Sequence, residues 1–228
     1  MNVKLVSITK GVGEVANLSP EELIVYCARV SSPENQMSLE TAPKLLGYCI
    51  RQKHWSIFEQ VSLGVSIETS RAVAAQILRH KSFSFQEFSQ RYSKPTGIIM
   101  YEARRQDLKN RQNSIDDLSQ ETKDWFLDKQ TEIHALSQKY YEEALDKQIA
   151  KESARFLLPL NTATKLYITG NVRSWITYLL VRLEKSTQLE HRQIAQECWK
   201  IFQEQFPSIS IALSGMYPDV FVKEVITS

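Results

Sequence analysis

The alternation in residues 59–69, EQVSLGVSIET, constrains the fold more than any other stretch of this chain. Val61, Leu63, Val65 and Ile67 recur at every second residue, so an extended backbone puts all four on one face. A strand that is apolar on one face only belongs to a half-covered antiparallel sheet, because parallel strands buried on both faces read as unbroken apolar runs. Residues 2–8 read as a further short strand, and LYIT at 166–169 is β-prone. Gly11-Val12-Gly13 follows the first of these, but the third glycine of a dinucleotide loop is missing and no βαβ unit continues from it. That segment reads as a turn.

Between these strands the spacing is helical. Ser19-Pro20-Glu21-Glu22 predicts a helix start: Ser19 as N-cap, Pro20 at the first position, and Glu22 closing a capping box. Further helices are expected over about 39–53, 70–79, 124–150, from Asn171 to about Glu184, and last over about 188–206. Residues 103–123 are polar and read as an exposed excursion. No repeat or linker divides the chain. The expectation is one α+β domain over residues 1–228, an antiparallel sheet packed by helices, with a long helical excursion in the middle.

With 228 residues, 43% of them hydrophobic, the chain can bury a substantial core. A formal charge of +2 argues against a partner held by bulk electrostatics, whether nucleic acid or membrane. Cys27, Cys49 and Cys198 are odd in number, far apart and in no CxxC pair, which predicts reduced thiols and a cytoplasmic setting. No apolar run approaches the ~20 residues of a membrane span. The N-terminus lacks the apolar core of a signal peptide. No His/Cys cluster has metal-ligand spacing, and no cysteine has a histidine at a spacing that suggests nucleophilic catalysis.

The chemistry concentrates in RHKSFSFQEFSQRY, residues 79–92. Gln76, Arg79 and His80 stand at i, i+3 and i+4, which predicts a shared face at the end of a helix. Ser82, Ser84 and Gln86 then alternate with Phe83 and Phe85. Glu87, Ser89 and Arg91 continue the two-residue spacing in the other phase, so the chain must bend or bulge near Gln86. An aromatic underside with a polar upper side suits a planar, phosphorylated ligand: serines and backbone N–H groups for phosphate oxygens, arginine forks for charge, Glu87 for donors on a ring or sugar. A surface hairpin with a salt bridge and core phenylalanines fits the same spacing. So does a single-stranded nucleic-acid platform, which interleaves aromatics with cations, although Glu87 in its middle opposes that use.

Two distant arginines favour the anionic ligand. Trp175, Leu179 and Arg182 lie at i, i+4 and i+7, putting Arg182 on an apolar stripe, and Arg155 abuts the run FLLPL. A buried guanidinium without a protein partner suggests an anion; an internal salt bridge to Glu59 or Glu184 is the plainer alternative. His54, beside Trp55, has the spacing of a structural histidine, and His134 and His191 fall in helical surface patterns.

The pattern R-H-x-x-x-S-x-x-E-x-S-x-R-Y, from Arg79 to Tyr92, resembles the signature of the flavin-dependent thymidylate synthase family. Upstream KHWSIFE resembles that family's histidine segment, RFLLPLN its second arginine segment, and NVRSWITYLLVRL with TQLEH its C-terminal helix. These blocks stand in family order across about residues 51–195. The resemblance implies conversion of dUMP to dTMP, with 5,10-methylenetetrahydrofolate as carbon donor, NADPH as hydride source, FAD as carrier, and a homotetramer with sites at subunit interfaces. By resemblance, Gln76, Arg79, Glu87, Ser89, Gln90, Arg91 and Arg155 hold dUMP. Glu87 would lie between nucleotide and flavin, while Ser56, Arg79, His80, Lys81, Ser82, Asn171 and Arg173 contact FAD. Arg182 would face the uracil and favour ionisation at its N3, and His54 would lie by the flavin and the folate entrance. Flavin chemistry of this kind requires no protein thiol. The chain departs from the signature at Lys81, where the family has arginine, and at Gln86, where it has asparagine.

Overall fold

The computed structural model describes residues 2–222, and local sequence signals account for many of its element ends. Strand β1 (Asn2–Ile8) is followed by helices α1 (Pro20–Ala28) and α2 (Ala42–Arg51), strand β2 (Ser62–Ser70) and helix α3 (Arg71–Ile77). Next come β3 (Ser84–Glu87), an antiparallel two-stranded hairpin of β4 (Arg105–Gln106) and β5 (Ser114–Ile115), and the long helix α4 (Gln120–Asp146). After α5 (Lys151–Ala154), the chain forms β6 (Ala163–Asn171), α6 (Val172–Arg182), α7 (Leu189–Gln205), α8 (Pro207–Met216) and α9 (Pro218–Phe221). The main sheet has the order β1–β2–β6–β3, so helices with an antiparallel sheet bear out the α+β expectation.

The capping box forms as read: Ser19 accepts from the Glu22 N–H at 3.2 Å and the Glu22 carboxylate accepts from the Ser19 N–H at 2.8 Å. Asn171 caps α6, its Oδ1 accepting from the Ser174 N–H at 2.9 Å. Lys53 ends α2 with φ of 59°, a left-handed turn in which its N–H bonds the Ile50 carbonyl and the His54 N–H bonds the Cys49 carbonyl. That paired pattern is a Schellman motif, and it sets the exit direction of the chain at His54.

Three expectations are corrected. β2 is not half-buried, because Leu63 through Ile67 are all buried and only Glu68 in its second half is exposed. A Cβ at Gly64 would come 2.3 Å from the Ser7 Oγ and 2.9 Å from the Thr169 Oγ1, so the second face is closed by small groups that periodicity does not register. Helix α3 stops at Ile77, which leaves Arg79 and His80 beyond its end rather than on a shared helical face with Gln76. Residue 206 does not end the helical part of the chain either. Phe206 and Tyr217 interrupt it, and prolines at the first positions of α8 and α9 restart it.

The chain gathers into two compact units. The first holds Ile67–Arg79 and Gln86–Leu166; the second holds Val3–Ser66, His80–Phe85 and the stretch from Tyr167 onward. In the first unit, Tyr141 and Ala144 of α4 pack with Ala154, flanked by Leu145 and Leu158. In the second, Ile24, Leu46, Ile50, Phe58, Leu63, Trp175, Leu179, Phe202 and Phe206 are fully buried or nearly so. Each such side chain contributes about 1.5–3 kcal/mol relative to exposure. The Trp175 indole also donates to the Leu63 carbonyl at 2.9 Å, tying α6 to β2 without leaving a buried N–H unpaired.

Candidate functional site

The residues singled out in the sequence fall into two groups, one in each unit. In the first unit, β3 ends at Glu87, which is half-buried like Phe85 while Ser84 and Gln86 are exposed. The expected change of face near Gln86 is therefore the end of the strand, with Glu87 still on the phenylalanine side. Arg71 Nη1 lies 2.6 Å from Glu87 Oε1, and Thr164 Oγ1 donates to that same oxygen at 2.9 Å. Two donors on one oxygen fix the carboxylate and leave Oε2 as its open acceptor.

Past Glu87 the chain turns on Ser89, whose Oγ accepts from the Arg91 N–H at 3.3 Å and whose carbonyl accepts from the Tyr92 and Ser93 N–H groups. Arg91 is exposed and reaches Glu152, with Nε and Nη2 each at 3.1 Å from one carboxylate oxygen. Arg155 donates from Nε to the Glu152 carbonyl at 3.1 Å and sits over the Phe156 ring, 5.7 Å from its centroid. Among the described residues Arg155 has no carboxylate partner.

Gln90 is 7% exposed, and its Nε2 has no hydrogen-bond partner among the described residues. A cavity of about 330 Å³ is lined by Arg71, Gln90, Arg155, Phe156, Leu158, Pro159 and Leu160. Gln76 is half-buried on α3, and Arg79 is exposed beyond its end, bonded through its N–H to the Gln76 carbonyl.

In the second unit, Lys81 and Ser82 occupy an exposed turn, and the Ser82 carbonyl accepts from the Ser174 hydroxyl at 3.1 Å. Phe83 is 8% exposed, edge-on to Trp175 at 4.9 Å and to Tyr178 at 5.9 Å. Its ring belongs to the core and is not offered for base stacking.

Arg182, half-buried at the end of α6, donates from Nε to His80 Nε2 at 2.8 Å. The expectation of a guanidinium without a protein partner is thus corrected for Arg182. An imidazole nitrogen that accepts from a cation carries no proton, so His80 holds its proton on Nδ1. Behind it, Tyr178 and His191 share a hydrogen bond of 3.2 Å.

His191 is fully buried, not on the surface as its helical pattern suggested. Burial, with lesser contributions from Arg182 and His80, pushes its pKa down to about 3. Burial likewise drives the Tyr178 phenol well above its ordinary value. Tyr178 and His191 are therefore held neutral beside Arg182.

Arg173 is exposed and paired with Glu59, and Asn171 is committed to capping α6. His54 is exposed, edge-on to Tyr48 with centroids 5.8 Å apart. Ser56 lines a cavity with Tyr26, Cys27, Gln36, Ile57 and Gln60. Among the described residues, no cluster of His, Cys, Asp or Glu could hold a metal ion, and no helix is long and apolar enough to cross a membrane.

Arg71, Thr164 and His191 were missed by sequence reasoning. Arg71 carried a weak signal, as a lone charge opening the helix RAVAAQIL, whereas Thr164 and His191 stand out only once the fold is known.

The fold is shared with nucleotide-methylating enzymes. It superposes on the UMP/dUMP methylase PolB of Streptomyces cacaoi, crystallised with 5-bromo-dUMP, with a TM-score of 0.77 over 94% of each chain at 22% identity. The sequence profile of the thymidylate synthase complementing protein family, Thy1, matches residues 15–208. The flavin-dependent thymidylate synthase of Synechocystis sp. is 56% identical over 93% of this chain and 99% of its own length. A probable flavin-dependent thymidylate synthase of Paramecium bursaria Chlorella virus 1 is 50% identical over the same shares. The chain belongs to this family.

Proposed function

We propose that the chain is a flavin-dependent thymidylate synthase that converts dUMP to dTMP, with 5,10-methylenetetrahydrofolate as carbon donor, NADPH as hydride source and FAD as carrier. Family membership and 56% identity to a relative of that name support the reaction. The observation that carries it to this chain's own residues is the cavity lined by Gln90 together with Arg71 and Arg155. Guanidinium donors of that kind suit a phosphate.

In this reading Gln76, Arg79, Ser89, Gln90, Arg91 and Arg155 bind the nucleotide, and the fixed Glu87 accepts from it through Oε2. Arg182 is oriented by its bond to His80. A cation favours the ionised form of a nearby acidic N–H, so Arg182 activates the uracil at N3. The second unit fits an anionic aromatic cofactor, with the cations Lys81 and Arg173 and the hydroxyls of Ser56 and Ser82 all exposed. His80 joins that set and Asn171 orders its helix start, while Arg79 and Glu87 are flavin contacts by the family resemblance alone. Bound FAD supplies hydride transfer. His54, exposed beside Tyr48, lies by the flavin and the folate entrance.

Residues 1–228 act as one domain, since the chain passes between its two units repeatedly rather than at a single linker. Trp125, Ile133 and Leu136 on α4, with Phe156 and Leu160, are exposed apolar groups that suit burial in a homotetramer. The free thiols of all three cysteines suit a cytoplasmic protein.

The test is the visible absorbance of the purified protein, followed anaerobically with NADPH and with dUMP. Oxidised-flavin bands that bleach with NADPH, and dTMP formed once folate is added, are expected. A protein that takes up no flavin and forms no dTMP overturns the reading.

A further inference from the structure

The Arg71 side chain is held more firmly than a salt bridge at a strand edge requires. Its backbone N–H donates to the Thr162 carbonyl at 3.0 Å, and the next N–H, of Ala72, donates to the Leu160 carbonyl at 3.0 Å. The root of the side chain is thus fixed against the same segment that walls the cavity of Arg155. Glu87 Oε1 fixes the far end through Nη1, and Thr164 in turn fixes that oxygen. A guanidinium has five N–H donors in a rigid fork, and this contact engages only the Nη1 side. About a third of the side chain stays exposed, and it lines the cavity with Gln90 and Arg155.

Charge in the cavity is uneven. Glu87 faces Arg71, whereas Arg155 has no carboxylate partner among the described residues and bonds a backbone carbonyl instead. One carboxylate against two guanidiniums leaves a net positive cavity, which is also lined by Gln90, whose buried Nε2 has no partner among the described residues. Two guanidinium residues lining one small cavity match a tetrahedral dianion better than a singly charged carboxylate.

We propose that Arg71 is a substrate-binding residue, the second guanidinium of a phosphomonoester subsite that it forms with Arg155 and Gln90. Glu87 and Thr164 act there as the residues that aim it. The inference rests on the proposed function, under which the phosphomonoester is the 5′-phosphate of dUMP. It assigns to the chain a phosphate contact outside the residues 79–92 and 155 that the family resemblance supplies.

The test compares dUMP with deoxyuridine, which lacks the phosphate, on the flavin-loaded protein and on its Arg71→Ala and Arg71→Lys variants. Binding is read from the flavin absorbance, with deoxyuridine measured by competition. Arg71→Ala should weaken dUMP by roughly ten- to hundred-fold, the range of a charge-assisted contact, and leave deoxyuridine within about three-fold. Arg71→Lys, which keeps the charge but not the fork, should recover part of the loss on dUMP. Flavin content and circular dichroism report whether each variant is folded. If Arg71→Ala does not fold, Arg71→Lys carries the test with a selective loss of about ten-fold. An equal loss on both ligands, or none on dUMP, overturns the role of Arg71 while the proposed function stands. A parent protein that binds no dUMP overturns both.

Discussion

At residue scale, His191 behaves far from the ordinary chemistry of its side chain. It is neutral in the folded protein down to pH about 3, whereas an unfolded histidine takes up its proton near pH 6.5. Between those values the unfolded chain binds more protons at this site than the folded one. Stability therefore rises with pH there, and falls as pH drops from about 6.5 toward 3. His191→Gln should remove up to about 1.4 kcal/mol per pH unit from that slope, which denaturant unfolding between pH 4 and 6 will measure. An unchanged slope would mean that the buried imidazole titrates normally. Arg182 makes the complementary case, as the cation that His80 orients. Arg182→Ala should lower dTMP formation by roughly 10²–10³-fold with flavin content unchanged, and full activity would refute its assignment.

At the scale of elements, the ends of helices were legible because their causes are local. Ser19 and Glu22 sit three residues apart, and Asn171 needs only the N–H of Ser174. The faces of strands were less legible. The alternation in β2 told which side was apolar, but could not tell that small residues on Ser7 and Thr169 close the other. The contact of Gly170 with Phe83 is of the same kind: a Cβ there would lie 2.5 Å from the ring. That ring is wedged against Trp175 and Tyr178 and has little room to yield. Gly170→Ala should therefore cost about 1–3 kcal/mol by overpacking, measurable as a lower denaturant midpoint, and a neutral result would mean that Phe83 is loosely held.

At the scale of the whole molecule, the signature stretch announced the chemistry, while its supporting partners were hidden by sequence distance. Glu87 meets Arg71 and Thr164, and Arg91 meets Glu152; no spacing rule links such positions. His191 misled for the converse reason, since the polar residues around it give the start of α7 the look of a surface helix while the packed fold covers both Glu190 and His191. Assembly belongs to this scale too. Phe156 is 81% exposed beside the cavity of Arg155, too large an apolar ring to leave in water without purpose. Light scattering on the eluting protein should give four chain masses, and Phe156→Asp should shift it toward smaller species; a monomeric parent would contradict the tetramer. The three thiols, finally, are unequal. Burial raises Cys49 and Cys198 away from the reactive thiolate, whereas Cys27 is partly open and lines the same hollow as Ser56. A maleimide dye added in one equivalent will therefore settle on Cys27, giving the native sequence a built-in optical reporter of whatever enters that hollow.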